Sequence, residues 1–258
     1  MRGAVAYAIF LGILFSGMIP LGLAFETEST QGSSAHIVSI ETVASDSGPK
    51  RALSIDEHSV TWTYSNAKPP GHPADGRAWD RVSHTTLNIT APGERLGRHI
   101  ACGDAIVWSN GYNSSPEKLF GYHVSRREHF NVSLPRPGWL FPVACEGGTG
   151  IGVWGNQSPQ DDLLIFRLST AEFRVLELPG NQSWPDIWGD TIVWLDDRLE
   201  RSRAELGAKE SLDVYALNLT TGVEQRLTND TSQPGPPQVW NGKVLWADLR
   251  GTTLAESP

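Results

Sequence analysis

Pro185-Asp-Ile-Trp-Gly-Asp-Thr-Ile-Val-Trp194 and Pro237-Gln-Val-Trp-Asn-Gly-Lys-Val-Leu-Trp246 match position for position. In each, a short apolar run meets a Gly-Asp or Asn-Gly pair, residues that tolerate the positive φ of a tight hairpin turn, and a second run returns to a Trp. The same Trp closes the phrase at Trp62, Trp108 and Trp154, so the copies lie 46, 46, 40 and 52 residues apart. A period of about 40–50 residues, filled with short β-runs and turn residues, is the signature of propeller blades, each a small sheet that cannot bury both faces alone.

Reading on from Trp194 completes the unit. Leu212-Asp-Val-Tyr-Ala-Leu-Asn-Leu219 alternates large apolar residues as a third strand, Thr220-Thr-Gly222 turns, and Val223–Thr228 forms an outer strand. Earlier copies are degraded but visible: His99–Trp108 leads to Lys118–Val124 and Phe130–Leu134, and Pro142–Trp154, which carries a small insertion, leads to Leu163–Leu168. The copy at Leu53–Trp62 is the weakest. The pattern predicts an all-β chain, a propeller of about five blades with up to four antiparallel strands each.

Gly189-Asp190, Ile192-Val-Trp194, Asp196 with Arg198, Asp213-Val-Tyr215, Leu219-Thr-Thr-Gly222 and Arg226-Leu-Thr-Asn229 resemble TolB-like propeller repeats, in the variant found in tandem in prokaryotic, often archaeal, secreted and cell-surface proteins. The resemblance covers residues 54–250, strongly in the last two units, and places the repeats in 53–258. It implies the fold and a location outside the cytoplasm; members of the family mostly lack a demonstrated enzymatic activity. Few residues follow Trp246, so the fifth unit has two inner strands and no outer ones of its own. Within the 25–52 segment, His36-Ile-Val-Ser-Ile-Glu-Thr-Val43 lies where an outer strand would precede Trp62 and would close that last blade; the alternative is an array with an exposed edge.

Residues 1–24 read as a signal peptide: Arg2, an apolar run from Ala4 to Ala24 broken by Gly and Pro, and a small-residue site at Gly22-Leu-Ala24. The competing reading is an uncleaved anchor, since the run approaches the length that spans a bilayer, and this is the one membrane attachment the sequence offers. Cleavage after Ala24 moves the net charge from −8 to about −9 and leaves no basic block, so nucleic acid is not an expected partner. Seven asparagines stand in Asn-X-Ser/Thr: Asn88, Asn113, Asn131, Asn156, Asn181, Asn218 and Asn229. They are candidates for glycosylation in a secreted or cell-surface protein, although Asn and Ser/Thr are also ordinary turn residues.

Cys102 and Cys145 occupy the same place in adjacent units, each in an Ala-Cys pair, and are candidates for a cross-blade disulfide if the inner strands approach closely enough; two buried thiols are the other reading. Asp104 and Asp190 follow Gly in equivalent turns, which points to turn hydrogen bonds. No His-Glu-X-X-His, EF-hand loop, Cys-X-X-Cys or Gly-X-Ser-X-Gly occurs, and Glu146-Gly-Gly-Thr-Gly-Ile-Gly152 lacks the Lys of a phosphate loop, so neither metal nor cofactor is expected. A propeller glycosidase would need acids round its channel, and of the positions equivalent to Asp186 (Ser54, Ile100, Val143 and Gln238) none is acidic, with Asp56 and Glu57 the nearest others.

Loops between second and third strands should gather on one face: 64–79, 110–117, 155–161 and the charged insertion 199–211. That face carries Trp79, Tyr112, Asp196 and Arg198, types favoured at contacts, although Trp79 would equally start a strand, and the recurrence of an acid or amide two residues after the Trp argues for architecture. The expected function is therefore an exported, non-catalytic envelope or extracellular interaction module with a protein or carbohydrate partner. The alternatives are a polysaccharide-active propeller glycosidase and a structural spacer in a surface array.

Overall fold

The computed structural model describes residues 21–26, 37–44, 50–64, 75–90, 99–109, 118–135, 138–155, 161–199, 212–229 and 234–247. Among these every regular element is a β-strand. The chain forms two compact units, Met1–Pro49 and Lys50–Pro258.

In the first unit β1 (Leu21–Glu26) pairs antiparallel with β2 (Ile37–Ala44). The segment expected to close the last blade is thus a strand, but its partner is β1, which runs across the Ala24–Phe25 junction. Residues 1–20 of the expected signal peptide lie outside the described residues.

The second unit is a succession of antiparallel meanders. The first blade holds β3 (Lys50–Ile55), β4 (Ser59–Tyr64), β5 (Asp75–Asp80) and β6 (Thr85–Asn88). The second holds β7 (His99–Cys102), β8 (Ala105–Ser109), β9 (Lys118–His123) and β10 (Glu128–Ser133). The third holds β11 (Trp139–Glu146), β12 (Thr149–Gly155), β13 (Asp161–Arg167) and β14 (Glu172–Leu176). The fourth holds β15 (Gln182–Trp188), β16 (Thr191–Asp196), β17 (Asp213–Asn218) and β18 (Glu224–Arg226). A fifth sheet has two strands, β19 (Gln238–Trp240) and β20 (Lys243–Leu245). Hairpin turns fall where the repeat placed them: Gly103, Gly189, Asn241 and Gly242 all have φ between 46° and 71°.

The repeated Trp is the unit of packing. Trp62, Trp108, Trp154 and Trp194 are all below 2% exposed. Trp108 packs with Ala78, Leu87 and Ile89 of the first blade, Trp154 with Ile100, Val107 and Leu119 of the second, and Trp194 with Ile151, Leu163 and Ile165 of the third. Each indole therefore reaches back into the preceding blade and closes one inter-blade core. The apolar face that a four-stranded sheet cannot cover by itself is buried in this way, and an indole is among the largest single contributions of area available to it.

Hydrogen bonds between neighbouring inner strands repeat as well. The Ala101 N–H donates to Ser54 Oγ at 2.9 Å, and the Val239 N–H donates to Asp186 Oδ2 at 2.8 Å, from equivalent positions three blades apart in the series. At the neighbouring hairpin the Gly189 N–H donates to the Glu146 carboxylate. In each case a side chain of one blade accepts from the backbone of the next. Asp104 and Asp190 tie the far end: Ser125 Oγ donates to Asp104 at 2.5 Å and Thr220 Oγ1 to Asp190 at 2.7 Å. Cys102 and Cys145 form a disulfide between β7 and β11, with Cα atoms 5.1 Å apart.

Truncating Trp154 to Ala should cost about 3–5 kcal/mol, since the pocket between two sheets cannot collapse round the missing indole. Replacing Cys102 and Cys145 together by Ala should cost about 2–4 kcal/mol. Urea denaturation of the purified variants measures both, and a shift of less than about 1 kcal/mol for Trp154→Ala would contradict the packing role given to the repeat.

Candidate functional site

Two of the residues expected at a binding face are instead closed into a clamp. Asp196 is buried at the end of β16 and accepts the Trp194 indole N–H at 2.9 Å. Arg198 turns back on it, donating from its backbone N and its Nε to Oδ1 and from Nη2 to Oδ2 at 2.7–2.9 Å, while Nη1 reaches Glu224 at 2.7 Å. The guanidinium carbon lies 4.3 Å from the centre of the Tyr215 ring. Burial alone would lower the Arg198 pKa, but the hydrogen bonds and charge of Asp196, with Glu224 adding to them, outweigh it and hold the group above its ordinary value. With the donors of Arg198 and both oxygens of Asp196 engaged, the pair anchors the buried Trp.

Trp79 stands inside β5, half-buried, with its ring edge-on to His84 at 6.1 Å. It is a strand residue packed on its own blade, not part of a loop platform. Tyr112, Asn113 and Asn156 lie outside the described residues. Asn88 and Asn131 are exposed on the outermost strands β6 and β10, Asn229 is exposed after β18, and Asn218 accepts the Thr220 and Thr221 N–H groups in a turn. Asn181 is different. Its Nδ2 donates to Asp197 Oδ2 at 2.6 Å, its N–H to Asp197 Oδ1 at 2.5 Å, and its Oδ1 accepts the Asp161 N–H at 3.1 Å. Asn181 thus ties β13 to the segment after β16 through its side chain and its backbone.

The acids nearest the inner strands are also engaged. Burial raises the pKa of Asp186 and, in second place, the N–H groups of Val239 and Ile187 lower it, with the Glu146 charge raising it further. Burial likewise raises Asp56, against the N–H groups of Ser59, His58 and Gly103. Both carboxylates therefore accept from backbone, in Asp186 from the next blade. Among the described residues no group of three or more His, Cys, Asp or Glu could hold a metal ion.

The concave site with convergent chemistry lies elsewhere, where the third blade meets β15. A cleft of about 150 Å³ is lined by Trp139, Phe141, Val143, Val153, Asp161, Ser183 and Trp184. Register explains its shape. Trp139 pairs with Gly155 and Gly155 with Asp161, so the three share one face of the sheet. A Cβ at Gly155 would sit 2.3 Å from the Trp139 indole, so only glycine lets that ring lie across the middle strand toward Asp161. On the other wall β15 carries a bulge between Ser183 and Asp186, where Trp184 has φ +50° and is 50% exposed. A bulky residue in the left-handed region is an outlier that persists where surroundings enforce it, and a bulge re-aims its side chain. The matching bulge of β3 holds Leu53, so the irregularity belongs to the repeat and the Trp to this blade.

None of these aromatics stood out in the sequence, because the reading keyed on the Trp that closes each phrase. Asp161 fell at the end of the 155–161 loop expected on the contact face. The Trp139–Gly155 pairing was the signal that could have been found, given the register.

Arg198→Ala should cost about 3–5 kcal/mol by leaving Asp196 buried without its cation, and urea denaturation reads that loss. For Asp186 the sign follows from its raised folded-state pKa. The native state keeps this proton longer than the unfolded chain, so ionisation costs stability, in full above the folded pKa and vanishing as the pH falls through it toward 3.8. Asp186→Asn, which keeps an oxygen acceptor for Val239, should therefore hold or raise the melting temperature at neutral pH and flatten its rise on acidification. A sharp loss of stability at neutral pH would show that the charge itself is needed.

No family model matches the chain, and no curated protein matches it. Solved structures do. TolB from Acinetobacter baumannii superposes with TM-score 0.51 at 12% identity, covering 88% of this chain and 56% of TolB. The β-propeller domain of the Trilobed protease from Pyrococcus furiosus, described as having an open velcro topology, gives 0.58 at 11%, covering 88% and 71%. An acylaminoacyl peptidase from Pyrococcus horikoshii gives 0.60 at 9%, covering 88% of this chain and 40% of the peptidase. The chain thus spans about half the length of the first of these and less of the peptidase. With its repeated blades and these likenesses, the chain has the fold of TolB and TolB-like β-propellers.

Proposed function

We propose that this chain is an exported, non-catalytic propeller that acts as a binding module at the cell envelope or outside the cell, with a protein or carbohydrate partner. The observation that carries the reading is the employment of its acids. Asp186 accepts the Val239 N–H of the next blade and Asp56 accepts the His58 and Ser59 N–H groups through Oδ1, whereas aromatic and polar side chains converge in the accessible cleft at Trp139, Asp161 and Trp184. Binding sites are concave, largely apolar and furnished with a few placed polar groups, which describes that cleft. Export rests on the apolar N-terminal stretch and on the sequons exposed at Asn88, Asn131 and Asn229.

The glycosidase reading makes the opposite prediction. Purified 25–258 incubated with isolated cell envelopes and a polysaccharide panel should be retained without releasing reducing ends, and Asp186→Asn should leave retention unchanged. Release of reducing ends that Asp186→Asn abolishes would make the chain a glycosidase; absence of retention on every material would leave the spacer reading.

A further inference from the structure

The cleft between the third blade and β15 has an electrostatic character that the binding reading does not use. Asp161 opens β13, and its backbone N–H is fixed by Asn181, which Asp197 holds in turn. Its carboxylate makes no hydrogen bond or ion pair among the described residues, and burial alone pushes its pKa upward. Beside it stand Trp139, Phe141 and Trp184. An aromatic face carries negative charge density, so the rings and the carboxylate add with one sign, in a chain whose net charge is −8.

We propose that this cleft binds a quaternary alkylammonium group, of the trimethylammonium kind, with Asp161 as counter-ion and Trp139, Phe141 and Trp184 as its aromatic walls. The proposal rests on the chain being a binding module and names the chemistry its cleft selects. An anion would meet repulsion from every charged or aromatic element of the lining. A neutral sugar could stack on the rings but would leave the carboxylate without a counter-charge. A primary ammonium is a compact, strongly hydrated charge and would have to shed its water to lie against rings that return no hydrogen bond. A quaternary ammonium has no donor to satisfy and presents methyl groups to the rings and charge to the acid, which is the arrangement that cation–π recognition rewards.

Three features prepare the site. Gly155 leaves room for the Trp139 ring to lie toward Asp161. The Asn181–Asp197 clamp holds the first residue of β13 in place. The β15 bulge sets Trp184 at the rim in a backbone conformation that costs energy and is kept.

Isothermal titration calorimetry of purified 25–258 tests this with choline, its neutral isostere 3,3-dimethylbutanol, N-acetyl-lysine methylamide and glucose. Choline should bind saturably at one site per chain, and each of the other three at least tenfold more weakly. Asp161→Asn and Trp184→Ala should each weaken choline about tenfold or more, while Val223→Ala, at an exposed site on another strand edge, leaves it unchanged. Dimethylbutanol, the lysine derivative or glucose binding as tightly as choline would overturn the assignment, as would no saturable choline binding. The four-ligand comparison on the unmodified chain decides the matter even if a variant fails to fold. Envelope retention that survives Asp161→Asn and Trp184→Ala together with absent choline binding would sink the cleft while leaving the module reading standing.

Discussion

The indole that reaches from one sheet into the preceding one is the contact on which the rest of the second unit depends. A four-stranded meander has two faces and its own side chains fill neither completely, so it is stable only between neighbours. Trp108, Trp154 and Trp194 solve this with one residue type at one register position, each buried below 2% exposure between two blades. Much of the surrounding chemistry serves the same contact. Asp196 holds the Trp194 indole N–H, Arg198 neutralises Asp196, and Tyr215 stacks beneath both. What looks in sequence like an Asp-Arg pair ready for a ligand is the tail of a packing motif.

The fold was legible because its determinants are local and recur. Apolar alternation, turn residues with positive φ and a recurring Trp each reported on the same hairpin, and β16 (Thr191–Asp196) contains the run that returns to Trp194. Outer strands were less well bounded: β18 is Glu224–Arg226 where the pattern ran from 223 to 228, since an outer strand is paired on one side and its sequence is under weaker constraint. Pairing of the segment 37–44 with Leu21–Glu26 was not readable, because any alternating stretch can join any open edge and sequence alone does not rank the partners.

The candidate site was legible only in fragments. Its residues come from β11, β13 and β15, and what brings them together is register across a glycine and a bulge, neither of which has a periodic signature. Conversely, Asp196 and Arg198 were conspicuous as charged residues but are spent internally. Residue type signals chemistry, whereas availability is a property of the fold: Asp161 and Asp196 are both acids at strand ends, the carboxylate of one without a hydrogen bond among the described residues and that of the other fully engaged.

The hydrogen bonds between neighbouring inner strands carry an evolutionary consequence. Their donors at Ala101, Val239 and Gly189 are main-chain groups, present in every residue but proline, and the acceptors at Ser54, Asp186 and Glu146 are three different side chains. A joint built this way survives substitution on its donor side by any residue but proline that the backbone conformation admits, and on its acceptor side by any residue that offers an oxygen at the right reach. Duplicated blades can therefore drift apart while still docking. The fold that these joints hold together here is met in TolB at 12% identity over 88% of this chain.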